Sequence, residues 1–193
     1  ALIGLFVIIY KWTSLPDANS ISPEQFQSFN PMFIVLLTPV VVGMFKWMNS
    51  KGKEPSSPGK IGIGMVLTAA AFSVMVIASI GLPAVHTLGG QASSVTVSPY
   101  WLIMTYFIVT IGELHLSPMG LSFVSKVAPP KMKGLMMGMW FGATAVGNYL
   151  SGFVGRFYQN WELWQFFLLL VCTSLLAAGL IAIFLKKLKH ATE

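Results

Sequence analysis

Five stretches of this chain, 30–48, 61–80, 99–125, 134–155 and 163–185, run for 19 residues or more with almost no charge. A helix rises 1.5 Å per residue, so about 20 apolar residues cover the roughly 30 Å hydrocarbon core of a bilayer. Five such runs in 193 residues leave little to build a water-facing surface. The expected fold is therefore an all-α, polytopic membrane protein, because helices satisfy their own backbone groups in lipid. Charged residues are only 9% of the chain, against about 25% in soluble domains, and a soluble enzyme is excluded. Segment 1–12 reads as a partial helix: its apolar stretch, 1–10, is too short to span. The chain opens on Ala1 and apolar residues without a charged leader, so it is expected to be a piece of something longer rather than one that starts with a signal peptide.

Polar segments punctuate these runs. Ser22-Pro23-Glu24-Gln25 combines a capping hydroxyl, a proline at the first helical position and Gln at the capping-box position, and Ser98-Pro99 repeats the device. The linker 49–60 (NSKGKEPSSPGK) and the break Ala128-Pro129-Pro130 separate the segments. The net charge of +6 comes from cations that sit in these breaks, a pattern that argues against nucleic acid as a partner. Lys46, Lys51, Lys53, Lys60, Lys126, Lys131, Lys133, Lys186, Lys187 and Lys189 fall on one side, ten of the twelve basic residues; Lys11 and Arg156 fall on the other. The positive-inside rule makes the lysine-rich side cytoplasmic, with contacts to anionic membrane lipids as a secondary role. The lone Cys172 excludes an internal disulfide and a cysteine-based zinc cluster.

Glu113 lies in the middle of the 99–125 run. A carboxylate at the bilayer centre costs roughly 2.5 kcal/mol or more, and such residues usually face a bundle interior or a watery path for ions, protons or substrate. A protonated Glu that merely bridges two helices is the plainer alternative. Tyr106, Thr110, Glu113, Ser117 and Gly120 follow at helical spacing and share one face. His115, two residues on, projects to nearly the opposite side, which makes it a packing residue and a poor partner for Glu113 in metal or acid-base chemistry. Pro118 removes a backbone hydrogen bond and is expected to kink the helix, as a hinge or for packing alone.

Along 134–155, Gly134, Gly138 and Gly142 recur every fourth residue on one side, and Ala143, Gly147, Ser151 and Gly155 on another. Small-xxx-small stripes let membrane helices approach closely, so Gly134, Gly138, Gly142 and Gly147 are expected to pack against a neighbouring helix. Trp140 lies away from the first stripe, as a cavity-closing side chain or an interfacial anchor. Asn30-Pro31 stands where the 30–48 segment enters the membrane; its amide either caps local backbone or hydrogen-bonds a ligand.

GELHLSPMGLSFVSKVAPP (112–130) followed by KGLMMGMWFGATAVGNYLSG (133–152), with FQSFNPMFIVLLTPV (26–40) and KGKEPSSPGK (51–60) in the same order, resembles the proton-dependent oligopeptide transporter family of the major facilitator superfamily. The resemblance implies the C-terminal helix bundle of a proton-coupled symporter that imports di- and tripeptides by alternating access, in the bacterial inner (plasma) membrane. It needs no cofactor besides protons as the coupling ion, and no metal. Glu113 of the E-x-x-x-S-P motif would bind the peptide's amino end and gate, with Ser117 beside it. Asn30 would contact the peptide, and Trp140 of M-x-x-W would line the lower cavity. The family's E-x-x-E-R motif and the basic residue for the peptide carboxylate belong to its N-terminal six-helix bundle, so this chain would supply half a binding site to that partner. The competing readings are a major facilitator transporter of another substrate, such as nitrate or a drug, a non-transporting membrane scaffold, and an intramembrane enzyme built on Glu113 and His115, against which their opposed faces argue.

Overall fold

The structure is a computed structural model that describes residues 26–88, 93, 95 and 97–190, with side chains through residue 184 on the last helix. Segment 1–12 and the expected cap Ser22-Pro23-Glu24-Gln25 lie outside the described residues. Each of the five apolar stretches falls in a helix: α1 (Phe29–Ser50), α2 (Ser57–Ser79), α3 (Tyr100–Val127), α4 (Lys133–Gly155) and, after the short α5 (Phe157–Asn160), α6 (Leu163–His190). Among the described residues there is no strand. Four helices, α1, α2, α3 and α6 up to Phe184, are long and apolar enough to cross a membrane. The fifth expected span, 134–155, falls in α4, whose apolar content is below that measure. At 23 residues α4 is long enough, but its glycines, Thr144, Asn148 and Ser151 dilute its apolar content.

Helix ends follow local chemistry. Past α1, Gly52 takes φ +63°, a left-handed conformation that glycine alone adopts without cost. Its N–H donates to the Asn49 carbonyl at 2.9 Å and the Lys53 N–H to that of Met48 at 3.0 Å, a Schellman closure that ties the start of the linker to the helix. The linker's other end is a cap: Ser56 Oγ accepts from the Gly59 N–H at 3.4 Å, with Pro58 in the first turn. The 49–60 linker is thus shorter than its composition implied, and Lys60 belongs to α2. The Ser98-Pro99 device works differently from expectation. Pro99 occupies the cap position and no side chain caps the helix; instead the Ser98 carbonyl accepts from the Trp101 N–H at 3.3 Å.

The core is the α2 seam. This helix packs extensively on both α6 and α3, while α1 and α4 lie on α3. Close approach is possible because α2 presents small residues there, Ala69, Ala71 and Ala78 being buried. Its tightest point is Gly64 against Gly112. A Cβ on Gly64 would lie 2.8 Å from the Gly112 carbonyl oxygen, and one on Gly112 would lie 2.9 Å from the Gly64 oxygen. Backbone touches backbone, with Thr68 Oγ1 donating to the same Gly64 carbonyl at 2.9 Å.

The expected seam along α4 is not formed in this bundle. A Cβ on Gly134, Gly138, Gly142 or Gly147 would meet nothing within 4 Å among the described residues, and α4 buries none of its residues. A spacing pattern specifies a face but not a partner, and none of the described residues supplies one. Gly64→Leu should therefore lower the melting temperature of the purified protein, costing about 1–3 kcal/mol as an overpacking substitution. Gly43→Leu on α1, where a Cβ meets open space, should stay within about 0.5 kcal/mol. Equal losses in thermal unfolding would contradict the assigned seam.

Candidate functional site

Midway along the 28-residue α3, Gly112 and Glu113 divide two tasks. Successive helical residues point about 100° apart, so Gly112 faces α2 while Glu113 faces α1. The first turn of α1 brings Asn30 to it: Asn30 Nδ2 donates to Glu113 Oε2 at 3.2 Å. Thr110, wholly buried, shares its single proton between the Tyr106 carbonyl at 2.7 Å and Asn30 Oδ1 at 3.4 Å. This sets the amide's orientation, since a flipped amide would turn its oxygen on the carboxylate. The carboxylate also lies beside the N-terminal turn of α1, the positive end of the helix dipole.

Glu113 is half-buried, and its second oxygen has no hydrogen-bond partner among the described residues. The arrangement holds a membrane-depth carboxylate by one edge and offers the other edge to a cationic or hydrogen-bonding ligand. Ser117, one turn further along the same face, is exposed and stands ready beside it. Tyr106, Thr110, Glu113 and Ser117 thus keep the common face that their spacing called for, and Asn30 joins that face.

His115 goes the other way. It is 5% exposed, its Nδ1 pairs with the Ile111 carbonyl at 2.8 Å, and its ring meets Phe45 edge-on at 5.0 Å between centroids. Two neighbours on α3 therefore hold α1 at Asn30 and at Phe45, fifteen residues apart, about 22 Å of helix. Such contacts require α1 to pass obliquely over α3, with Pro39 between them. Glu113 and His115 do not meet, and among the described residues no group of three or more His, Cys, Asp or Glu side chains is placed to hold a metal.

Trp140 lies apart from Glu113, seven residues down α3. A Cβ on Gly120 would fall 2.6 Å from Cζ2 of its ring, so the indole lies flush on the bare backbone there. Within this bundle Trp140 is the side chain through which α4 meets α3, while the stripe glycines face open space. Pro118, exposed and two residues before Gly120, sits inside an α3 that continues unbroken to Val127. Sequence reasoning missed the Gly64–Gly112 contact and the Gly120 seat; a glycine immediately before the intramembrane acid was the available signal.

The profile of the POT family matches residues 13–165. A peptide transporter of Yersinia enterocolitica, YePEPT, is 42% identical over 130 residues, which cover 67% of this chain and 24% of the relative. Dipeptide and tripeptide permease A of Escherichia coli is 34% identical, over 70% of this chain and 25% of its own length. The chain thus spans about a quarter of the length of these curated relatives. A crystal structure of the peptide transporter POT superposes with a TM-score of 0.75 at 27% identity, covering 97% of this chain and 36% of the other. A POT family transporter in complex with 5-aminolevulinic acid superposes with a TM-score of 0.73 at 27% identity, covering 93% and 36%.

If the indole is seated on Gly120, Gly120→Leu and Trp140→Ala should be coupled. Gly120→Leu alone must displace the ring and lower thermal stability by about 1–3 kcal/mol, and in a Trp140→Ala background most of that loss should vanish. Additive losses would show that the two do not touch.

Proposed function

The chain belongs to the POT family, and from that premise we propose that it is the C-terminal half of a proton-coupled symporter of di- and tripeptides, with Glu113 and Asn30 as its contribution to the peptide site. The chain is an integral membrane protein of a transporter family. The observation that carries the finer reading is the half-buried Glu113 carboxylate, held on one edge by Asn30 and without a hydrogen-bond partner on the other among the described residues. A peptide's terminal ammonium is a compact cation with three donors, and the free edge accepts from it. Asn30 holds the acid in position while that exchange takes place.

Alternating access needs a group whose contacts change between states. Ionised Glu113 attracts both the Asn30 amide and an ammonium, whereas protonated Glu113 becomes a donor with less hold on either. Its protonation state thus biases how tightly α1 and α3 are joined at mid-membrane. Protons serve as the coupling ion, and no cofactor is required. Pro118, which interrupts the backbone ladder of α3 one residue past Ser117, supplies a place for the inner part of α3 to bend. Trp140, seated at that inner part, would follow the bend and line the lower cavity.

The complete site requires the N-terminal six-helix bundle, which supplies the pocket's other wall and a cation for the peptide's carboxylate. Gly134, Gly138, Gly142 and Gly147 face open space here and are suited to close contact with that bundle. On this reading the protein resides in the bacterial inner membrane with its lysine-rich loops cytoplasmic, an orientation supported by the ten-to-two split of basic residues.

Two measurements test this. In the complete transporter, Glu113→Gln keeps size and hydrogen bonding but removes the titratable charge; proton-driven dipeptide uptake should fall at least about tenfold, a loss of about 1.4 kcal/mol or more. Concentrative uptake near wild type would reduce Glu113 to a structural residue, and selective uptake of nitrate or a drug would replace the substrate. For orientation, a thiol introduced as Lys53→Cys in a Cys172→Ser background should react with an impermeant reagent only in opened or inverted vesicles. Labelling from outside intact cells would contradict the topology.

A further inference from the structure

One charged pair has no part in the site as described. Lys60, in the first turn of α2, is 6% exposed although lysine is among the residues least often buried. Its Nζ pairs with Glu54 of the linker and lies 4.2 Å above the centre of the Phe45 ring. Phe45 itself is buried, 9% exposed, and meets His115 edge-on from α3. One aromatic ring of α1 is thereby gripped from two sides, by a cation of α2 and an imidazole of α3. The neighbouring cations are placed differently: Lys46 is exposed, and Lys51 lies 4.0 Å over Trp47.

Burying an ion pair is a poor way to gain stability, because desolvation offsets much of the attraction, and an apolar side chain of similar length packs as well. What a charge adds here is direction, since an ammonium between a carboxylate and a ring face fixes where both must lie. The linker is built to present Glu54: the Gly52 closure ties one end to α1 and the Ser56 cap ties the other to α2. The Phe45 contact is also the inner point at which α1 is held on α3; nearer the outer end, Asn30 meets Glu113 and Phe33 meets Phe107 edge-on at 5.5 Å between centroids.

We propose that the Glu54–Lys60 pair, acting through Phe45, is a positioning clasp at the inner end of α1 that sets Asn30 against Glu113. Held at Phe45, the oblique α1 is a lever of about 22 Å whose outer end carries the amide. Released there, α1 can swing, and the amide leaves the carboxylate edge it braces. Lys60 and Glu54 touch no substrate; they act through helix placement. The inference rests on Glu113 being the peptide site, and its test is divided so that the two stand or fall separately.

Lys60→Met is the gentler variant, because Glu54, 28% exposed at its side chain, can then turn to water, whereas Glu54→Gln strands a buried cation. In the complete transporter, Lys60→Met should raise the apparent KM for a dipeptide about tenfold while uptake at saturation per inserted molecule is preserved. Lys60→Arg, which keeps the cation, should restore KM. A merely structural lysine would instead lower the amount of inserted protein and leave KM unchanged, and that result would overturn the clasp. Independently of any substrate, spin labels at Gln27→Cys and Tyr100→Cys in a Cys172→Ser background should give one narrow distance in the parent and a broadened one with Lys60→Met. Unchanged distances would overturn the clasp whatever the kinetics; broadened distances in a transporter that takes up no dipeptide would uphold it and refute the substrate assignment instead.

Discussion

A carboxylate at the middle of a membrane helix must be satisfied, and the bundle is arranged around how that is done. Glu113 is held by a single amide from another helix, Asn30 of α1, and that amide is oriented by Thr110 of α3. For the bond to form, the first turn of α1 must reach the midpoint of α3, which imposes the oblique passage of α1. The adjoining face of α3, about 100° round the helix, is fixed. Gly112 does this, its backbone against that of Gly64 without an intervening side chain. Adjacent residues thus separate duties, one closing the permanent α2–α3 seam and the other keeping an edge open.

This division explains where rigidity and freedom lie. On the α2 side, close backbone contact and buried alanines leave little room for movement. On the α1 and α4 side the contacts are separate and specific: an amide on a carboxylate, Phe33 edge-on to Phe107, Phe45 between Lys60 and His115, and an indole on a glycine. Separate, specific contacts are more easily exchanged for others than a continuous seam is. The glycines of the α4 stripes meet nothing within 4 Å among the described residues.

What was legible in the residues follows from what each residue costs. Glu113 stood out because a charge in lipid is expensive wherever it points, and the face it shares with Thr110 and Ser117 follows from helical spacing. Asn30 was visible as a polar group at a helix entry, yet its partner was not, because the oblique course of α1 is a tertiary fact. The stripe of Gly134, Gly138 and Gly142 was legible as a face, but helix contacts need two helices, and the contact formed within this bundle runs through Gly64 and Gly112, which share no regular repeat. Lys60 read as one more linker cation. Only the Ser56 cap, which starts α2 inside the polar segment, shows that the lysine is helical and buried. Trp140 was legible as an aromatic set apart from the first glycine stripe, but its seat on Gly120 could not be read from spacing along either helix alone.

The account turns on Glu113 offering its free edge to a peptide's terminal ammonium, and binding to the purified complete transporter by calorimetry tests this most directly. A dipeptide with a free amino end should bind at least about tenfold tighter than its N-acetylated form, a difference of about 1.4 kcal/mol or more, and Glu113→Gln should erase most of that preference. If the wild-type protein binds both forms equally, or if Glu113→Gln retains the full preference, the carboxylate edge is not the ammonium site and the central claim fails.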